Sequence, residues 1–441
     1  MKKLAMSLAL LMASGTLPAA DLLQIYRLAQ DNDPNFAAAK ATLEAGQEKG
    51  PQGLAGLLPM IGASVDRTRN EVEVTTPAGA TLQPKTKYNS HGYGISLTQP
   101  LFRWQNWAAY GQSKLMVAQA EANFVQARQD LILRVSQAYF DLLYAEDNAK
   151  AVQASKKAIS QQLEQAKKNF EVGTATITDT HEAQARFDLV SAQEIAALSD
   201  LEVRRTALQA IIARDPGPLA PTRANVSIAP PQPAGIDKWV SAAEKDAIAV
   251  QIQTAALEIA DKEVGKQRAG HLPTVDLVAT TGKKHDLMSG FMADTRANTI
   301  GVQVTIPLFQ GGYVMSKDRE AVANRRAAEA MLEAAKRGSA QAARQYYLGV
   351  VNGVAQIKAL EAGLASSLLA LDANKLGYEV GVRINIDVLN AEQQVYLTRR
   401  DLAKAKYETL MAQLKLKASV GALGEEEVLQ VNALLDPTAT K

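Results

Sequence analysis

The chain contains the same ordered unit twice, and this duplication limits the folds open to it. Aligning the sequence with itself places Pro100 on Pro307, a shift of 207 residues, and Gly173 on Gly381, a shift of 208. The stretch TQPLFRWQNW thereby meets TIPLFQGGY, and FEVGTATITD meets YEVGVRINID. Motifs that recur in register at one spacing indicate a tandem duplication. We therefore expect two copies of one unit that combines strands with long helices.

A very long helix is predicted in each copy. No proline lies between Pro100 and Pro216, no glycine lies between Gly111 and Gly173, and good helix formers dominate. At about 1.5 Å per residue, residues 104–170 would span on the order of 100 Å, which is too long for a helix inside a compact globule. Apolar residues recur at alternating intervals of three and four residues, with one additional interval of four residues. This spacing predicts a coiled-coil seam that is interrupted by a stutter.

Two segments of each copy read as strands. In residues 299–306, TIGVQVTI, large apolar side chains alternate with small or polar ones. This pattern is typical of a transmembrane barrel strand, although a strand of a soluble sandwich looks the same locally. The four predicted strands are residues 60–74, 88–99, 274–282 and 297–306. Four strands cannot enclose a lumen, so the chain is expected to oligomerise.

The first twenty residues predict export. Lys2 and Lys3 precede an apolar run and a small-residue end, as in a secretory signal peptide cleaved near Ala19 or Ala20. After this segment no uninterrupted apolar run approaches the ~20 residues of a membrane-spanning helix. A closed barrel, which leaves no unpaired strand edge in lipid, is then the remaining way to cross a bilayer.

Composition argues against several other classes of protein. The chain has no cysteine, which excludes disulfides, thiolate chemistry and a lipidated N-terminal cysteine. Without the two lysines of the signal, 46 basic residues face 46 acidic ones, and this balance argues against nucleic acid as a partner. The four histidines show no metal-ligand spacing, and no phosphate loop or nucleophile elbow is complete. We expect no enzyme, cofactor or metal site.

Each repeated Pro-Leu-Phe is predicted to stop a strand and start a helix. Proline has no N–H for a ladder, and its φ suits a first helical turn, which predicts this role for Pro100 and Pro307. Aromatic residues cluster here and predict a girdle at a membrane interface, the alternative being a small aromatic core under a turn. They are Phe102, Trp104 and Trp107 in the first copy and Phe309 and Tyr313 in the second.

With VGTATITD and VGVRINIDVLNA also in place, the sequence resembles the TolC family of outer-membrane efflux and type I secretion channels, from residue 21 to about Gly421. The resemblance implies a homotrimer in which each chain gives four strands to a 12-stranded barrel in outer-membrane lipid of a Gram-negative bacterium, continuing into a helical periplasmic tunnel. It also implies export of proteins or small toxic molecules received from an inner-membrane ABC or proton-driven transporter through a periplasmic adaptor. The alternative is a periplasmic coiled-coil adaptor or spacer without a barrel.

The resemblance also assigns residues to a periplasmic gate. It implies that Tyr378 and Arg383 of the second copy bond to Thr178 and Asp179 of the first, so that Tyr378→Phe with Arg383→Ser should raise conductance. Asp387 would form a ring of negative charge at the constriction, and Asn390 stands where a second acid is expected. The adaptor would dock on two exposed tips, Val172, Gly173, Thr174 and Val380, Gly381, Val382. All these residues could instead be ordinary caps of helical turns.

These patterns predict the following order of segments along the chain. They are the signal peptide 1–20, an N-terminal helix 21–56, strands one and two in 57–100, long helices in 101–213, a proline-rich linker 214–240 forming a belt with the tail, a helix 241–270, strands three and four in 271–307, long helices in 308–421 and a C-terminal tail 422–441.

Overall fold

A computed structural model describes residues 19–75, 79, 81–223, 226–288 and 291–436 of the chain. The predicted signal peptide lies outside the described residues, apart from Ala19 and Ala20. The chain divides into two compact units. The sheet unit comprises Thr42–Ala122 and Gln251–Ala334, and the helical unit comprises the remaining segments, Met1–Ala41, Asn123–Val250 and Ala335–Lys441.

In both copies shorter helices precede two strands, and two long helices follow them, although the number of shorter helices differs. The first copy contains α1 (Leu22–Asn32), α2 (Pro34–Gln47), α3 (Lys49–Ala55), β1 (Met60–Thr75), β2 (Thr81–Phe102), α4 (Trp104–Glu171) and α5 (Ile177–Ile212). The second contains α6 (Ile236–Asp246), α7 (Ile248–Arg268), β3 (Thr274–Met288), β4 (Phe291–Thr305), α8 (Tyr313–Glu379), α9 (Asn385–Ser419) and α10 (Glu425–Asn432).

The single N-terminal helix predicted for residues 21–56 is wrong, because three shorter helices occupy it. Asp33 separates the first two: its backbone is extended, its side chain accepts from the Phe36 N–H at 2.7 Å, and Pro34 follows it. Proline disfavours helical backbone in the residue before it and is well placed at a helix start. The helix predicted for residues 241–270 is likewise two helices, α6 and α7, separated by the extended Ala247.

The long helices have the extent that the composition predicts. α4 has 68 residues and α8 has 67, each about 100 Å at 1.5 Å per residue. One stretch of 18 residues in α8 has a mean hydropathy of 1.3, so α8 passes a test for membrane-spanning helices by length and composition. Polar and charged residues such as Lys358 and Glu361 interrupt the leucines of α8, so the sequence contains no uninterrupted apolar run there. A single such stretch, 11% buried, is a weak indication.

The sheet unit holds one antiparallel four-stranded sheet in the order β1-β2-β3-β4. Directly paired residues share a face, and one such row is Ile61, Leu97, Ala279 and Ile300. The opposite face carries Gly62, Ser96, Thr280 and Thr299. The apolar row is largely solvent-exposed in the single chain, with Ile300 77% accessible. The strands thus present one apolar and one polar face, as the alternation predicts.

Pro100 does not end its strand, which corrects the prediction. β2 continues through Pro100, which pairs with Asp276, to Phe102. β1 begins at Met60 opposite Thr98, so β2 has only one neighbour beyond that point, and proline is tolerated on such an edge. Neither proline begins a helix: α4 starts at Trp104, and Pro307 lies in irregular backbone six residues before α8.

The linker is bound to the largest of the apolar clusters in the helical unit, which includes Leu219, Ala220 and Ile228. Tyr139 of α4 is fully buried, and its hydroxyl lies 2.8 Å from the carbonyl oxygen of Ala220 and 3.2 Å from that of Ala20. Burial raises the pKa of Tyr139, so the phenol keeps the proton that it donates. The linker also pairs with the C-terminal segment through Thr222 and Leu435. Chain segments far apart in sequence therefore meet at the middle of α4.

Candidate functional site

The α4–α5 and α8–α9 turns have the same backbone geometry. In the first, the N–H of Gly173 donates to Phe170 and that of Thr174 to Asn169; in the second, Gly381 donates to Tyr378 and Val382 to Gly377. Both glycines have φ of 78°, which other residues adopt only with strain. Nothing lies within 4 Å of a Cβ added at either one. The tips that the sequence singled out are therefore two equivalent, exposed turns.

The helices that leave these turns are capped differently. Thr176 caps α5: its hydroxyl accepts from the Asp179 N–H at 3.2 Å, and the Asp179 carboxylate accepts from the Thr176 N–H at 2.9 Å. This is a capping box. The equivalent residue before α9 is Ile384, which has no hydroxyl and makes no side-chain cap. Asp387 is consequently available for another contact.

We expect Ile384→Thr to build the missing cap on α9. A threonine hydroxyl there would accept from the Asp387 N–H, stabilising the start of α9 by about 1 kcal/mol, and Thr176→Ala should destabilise α5 by a similar amount. Hydrogen exchange of the backbone amides of residues 384–387 measures the effect. Unchanged exchange in Ile384→Thr would show that this turn does not accept a cap.

The predicted bond between Arg383 and Asp179 is not formed within the chain. Asp179 is engaged in the cap of α5, and Arg383, in the turn before α9, lies beside Asp387 of that helix, with Nη1 to Oδ2 at 3.6 Å. The Arg383 side chain is 59% exposed. Thr178 is exposed at the start of α5. The side chains of these residues therefore form no link between the copies in the part of the chain that the structure describes, although the backbone carbonyl of Asp179 accepts from Asn385 Nδ2 at 3.5 Å.

Tyr378 does make a contact between the two copies. Its hydroxyl oxygen accepts from Nδ2 of Asn169 at 3.2 Å, and its ring packs on the small core of Leu371, Val388 and Val395. Asn169 is the counterpart of Gly377, so the amide that reaches Tyr378 exists in only one copy. The tyrosine predicted for the gate is thus held by α4, near the tip.

Arg186 provides a second link, which the sequence analysis missed. Its Nη2 donates to Oδ1 of Asn390 at 2.9 Å, and its Nη1 bonds to Oε1 of Gln393. Arg186 stands seven residues after Asp179, two turns along the same face of α5, and this spacing is the signal that could have found it. Asn390, predicted to line a constriction, is therefore in contact with a cation of the first copy.

Further polar contacts hold α9 in place around these links. Lys375 of α8 pairs with the nearly buried carboxylate of Glu392 at 2.6 Å. The Tyr396 hydroxyl donates to Asn148 at 3.2 Å, and the Tyr407 hydroxyl donates to Asp147 at 2.7 Å. Burial raises the pKa of Tyr407, so this donor stays protonated. The contacts to Asn148 and Asp147 connect α9 to α4.

The junction between β2 and α4 contains a charge-assisted clamp. Arg103 Nε donates to Asp276 Oδ1 at 2.7 Å and its Nη2 donates to Oδ2 at 2.6 Å, in the two-pronged geometry of strong Arg–carboxylate pairs. The aromatics predicted for the interface girdle are exposed in the single chain. Trp104, Trp107, Phe102, Phe309 and Tyr313 are between 40% and 89% accessible.

Among the residues that the structure describes, no group of three or more histidine or acidic side chains is placed to hold a metal ion. What the arrangement can do is hold helices together through hydrogen bonds and ion pairs, and release them.

The family to which this sequence and fold belong follows from comparison with known proteins. The profile of the family described as "Outer membrane efflux protein" matches residues 25–214 and 239–422, which is most of the chain. The chain belongs to the outer membrane efflux protein family. The two matched ranges correspond to the two copies of the duplicated unit, and the resemblance drawn from the tip and junction motifs is confirmed.

Relatives in the outer membrane efflux protein family match nearly the whole chain. It is 32% identical to the alkaline protease secretion protein AprF of Pseudomonas aeruginosa over 416 residues, covering 93% of this chain and 86% of the relative. It is 30% identical to outer membrane protein TolC of Vibrio cholerae over 434 residues, covering 96% of each. The chain is accordingly an outer-membrane protein of a Gram-negative bacterium.

Solved structures of outer-membrane proteins have the same fold. The Campylobacter jejuni CmeC outer membrane channel superposes with a TM-score of 0.80 at 18% identity, covering 94% of this chain and 90% of that one. The outer membrane protein VceC of Vibrio cholerae gives 0.77 at 20% identity, covering 91% and 96%. The predicted fold class, four barrel strands per chain combined with long helices, is confirmed for this member of the family.

Proposed function

We propose that three copies of this chain form the outer-membrane exit channel of a tripartite export system. The observation that carries the proposal is the four-stranded sheet, with one apolar face, one polar face and an edge strand at each side. Three such sheets joined edge to edge give twelve strands, enough to enclose a lumen and leave no unpaired edge in lipid. The apolar face then meets lipid, the polar face lines the channel, and the long helices lie in the periplasm.

The names of two relatives indicate which cargo we propose for this channel. AprF and a second relative, PrtF of Dickeya chrysanthemi, are named for the secretion of proteases, and the chain is 30% identical to PrtF over 440 residues. We propose that this channel passes proteins, small toxic molecules or both. It would receive them from an inner-membrane ABC or proton-driven transporter through a periplasmic adaptor, without itself catalysing a reaction.

The gate of this channel is proposed to lie where α8 and α9 are bonded to α4 and α5. Tyr378 to Asn169, and Arg186 to Asn390 and Gln393, are the contacts nearest the tips that would have to break for the second helix pair to move. Arg383 and Thr178 would act between neighbouring protomers, since they are exposed and their side chains make no polar link to the other copy of the unit among the described residues. Asp387 and Asn390 would line the constriction, where carboxylates repeated threefold favour cations.

The test is to purify the mature protein in mild detergent and measure its mass and its conductance in planar bilayers. We expect a trimer that forms discrete channels and that stays with the outer membrane after carbonate washing. A periplasmic spacer, the alternative function, would be released by the wash. A monomer that carries no ions would refute the channel.

The exposed tips are proposed to dock the adaptor, and a charge placed there should weaken that contact. We expect Gly173→Asp with Gly381→Asp to reduce cross-linking to the adaptor by about tenfold, because both positions need positive φ and nothing covers them. Gly338→Asp, in an open position on α8, is the matched control. Equal cross-linking in the tip and control variants would remove the tips from the interface.

A further inference from the structure

The apolar face of the sheet ends in a group of cations, which we call the basic band. One row of paired residues runs Val65, Tyr93, Lys283, Arg296, and the next runs Arg67, His91, His285, Asp294. Paired residues, and residues two apart along a strand, point to the same side. The charged side chains therefore share the face that carries Ile95 and Ile300. The basic band comprises Arg67, Arg69, Lys283 and Arg296, with His91 and His285 between them.

Cations outnumber carboxylates in these two rows, and the nearby Glu71 of the same face is already paired with Lys85 and Lys87. Asp294 is the one carboxylate in these two rows, and it is shared by Lys283, at 2.5 Å from Nζ, and by His285, at 2.7 Å from Nδ1. Arg67 and Arg296 have no ion-pair partner among the described parts of the chain, and both are exposed. The same holds for Arg69, so the band is left with three unpaired guanidinium groups on the two edge strands, β1 and β4.

The position of the band matches the headgroup level of a bilayer. Along β4, Arg296 lies eight residues from Val304, a distance of about 27 Å at 3.4 Å per residue. The distance along the barrel axis is shorter, because the strands of a barrel are tilted. An outward apolar zone of about 25 Å is usual for outer-membrane barrels. The exposed aromatics of the β–α junctions, Phe102 and Phe309, lie beyond the opposite end of this zone. The band thus stands at the edge distant from the helices.

We propose that the basic band binds the phosphate groups of lipids in the outer leaflet. Arginine presents forked donors that match a phosphate, and clustered cations beside an apolar surface recognise anionic lipid headgroups. The exposed apolar side chains Val65 and Tyr93 adjoin the cations. This continuity favours a lipid, whose acyl chains would cover them, over free phosphate. The inference rests on the membrane placement proposed above.

The experiment measures lipid binding by the purified trimer of the full mature chain. Native mass spectrometry would give the affinity for bisphosphorylated lipid A and for uncharged diacylglycerol. We expect Arg67→Gln with Lys283→Gln and Arg296→Gln to weaken lipid A binding by about tenfold or more and to leave diacylglycerol binding unchanged. Lys284→Gln, on the opposite face of β3, is the matched control and should bind lipid A as the parent does. The single variant Arg296→Gln should show a smaller loss in the same direction and serves if the triple variant does not assemble.

Three results would overturn the inference. They are lipid A affinity unchanged in the variants that assemble, an equal loss in Lys284→Gln, and displacement of lipid A by inorganic phosphate at a concentration equal to that of the lipid. Channel conductance recorded on the same preparations separates this inference from the proposed function. Normal channels in variants whose lipid A affinity is unaltered would reject lipid binding by the basic band and leave the proposed function intact. Absence of channels in the parent protein would reject the barrel.

Discussion

Removing the Tyr378 hydroxyl and the Arg186 guanidinium together should raise the mean conductance of the channel by about tenfold. Tyr378→Phe deletes the acceptor for Asn169, and Arg186→Ser deletes the donors to Asn390 and Gln393. A neutral hydrogen bond contributes about 1 kcal/mol and one to a charged group about 1.5–3 kcal/mol. Since 1.4 kcal/mol is a tenfold change in an equilibrium, the loss suffices to shift a closed channel substantially toward the open state. Single-channel recording in planar bilayers measures it.

Two further variants show which contacts matter. Arg204→Ser is the matched control, because Arg204 also lies on α5 but pairs with Asp141 and Asp200 rather than with α9, so its conductance should equal that of the parent. Tyr378→Phe with Arg383→Ser, the pair predicted from the sequence, tests contacts between neighbouring copies. If only this second double variant opens the channel, the gate is held between protomers and the role assigned to Arg186 is wrong.

Breaking the clamp between Arg103 and Asp276 should destabilise the sheet unit by about 2–4 kcal/mol. The Asp276 side chain is 8% exposed, and loss of a partner leaves a buried carboxylate without its counter-charge. The value lies toward the lower end of the range because Arg103 itself is 37% exposed. Arg103→Ala should therefore lower the denaturant concentration at which the detergent-solubilised trimer unfolds. Arg103→Lys should have an intermediate unfolding midpoint, since lysine cannot donate two parallel hydrogen bonds to the carboxylate.

The control for this prediction is Arg268→Ala, which removes an ion pair to Asp318 in the same unit. Arg268 is 63% exposed, so its loss should cost less than about 1 kcal/mol. Arg103→Ala combined with Asp276→Ala should recover part of the stability that Arg103→Ala loses, because the unpaired charge is then absent. Equal unfolding midpoints for Arg103→Ala and Arg268→Ala would show that the clamp does not stabilise the junction.

The repeated order of strands and helices could be predicted because it depends on local patterns. Period-two alternation specifies one greasy face on each strand, and a proline-free, alanine-rich run specifies a long helix, whatever else the chain contacts. The tip glycines were predictable for the same reason, because a positive φ of 78° is a local requirement. Boundaries were less predictable: Pro100 is tolerated in β2 because β1 begins only opposite Thr98, which is a fact about a neighbouring strand.

The pairings of the candidate site could not be predicted, because they join residues that are distant along the chain. Arg186 and Asn390 are 204 positions apart, and Arg103 and Asp276 are 173 apart. Asp179 and Asp387 are equivalent in sequence, but one caps a helix and the other lies beside Arg383, since Thr176 has a hydroxyl and Ile384 does not.

The sequence by itself determined the duplicated architecture and the faces of its strands and helices, because hydrophobic period and backbone propensity act over a few residues. The tertiary structure alone decided which charges meet. Strand register brings Arg67, Lys283 and Arg296 to one edge of the apolar face, and helix packing brings Arg186 to Asn390. Electrostatic contacts form only where folding brings side chains within a few ångströms of each other, and no local pattern specifies that distance.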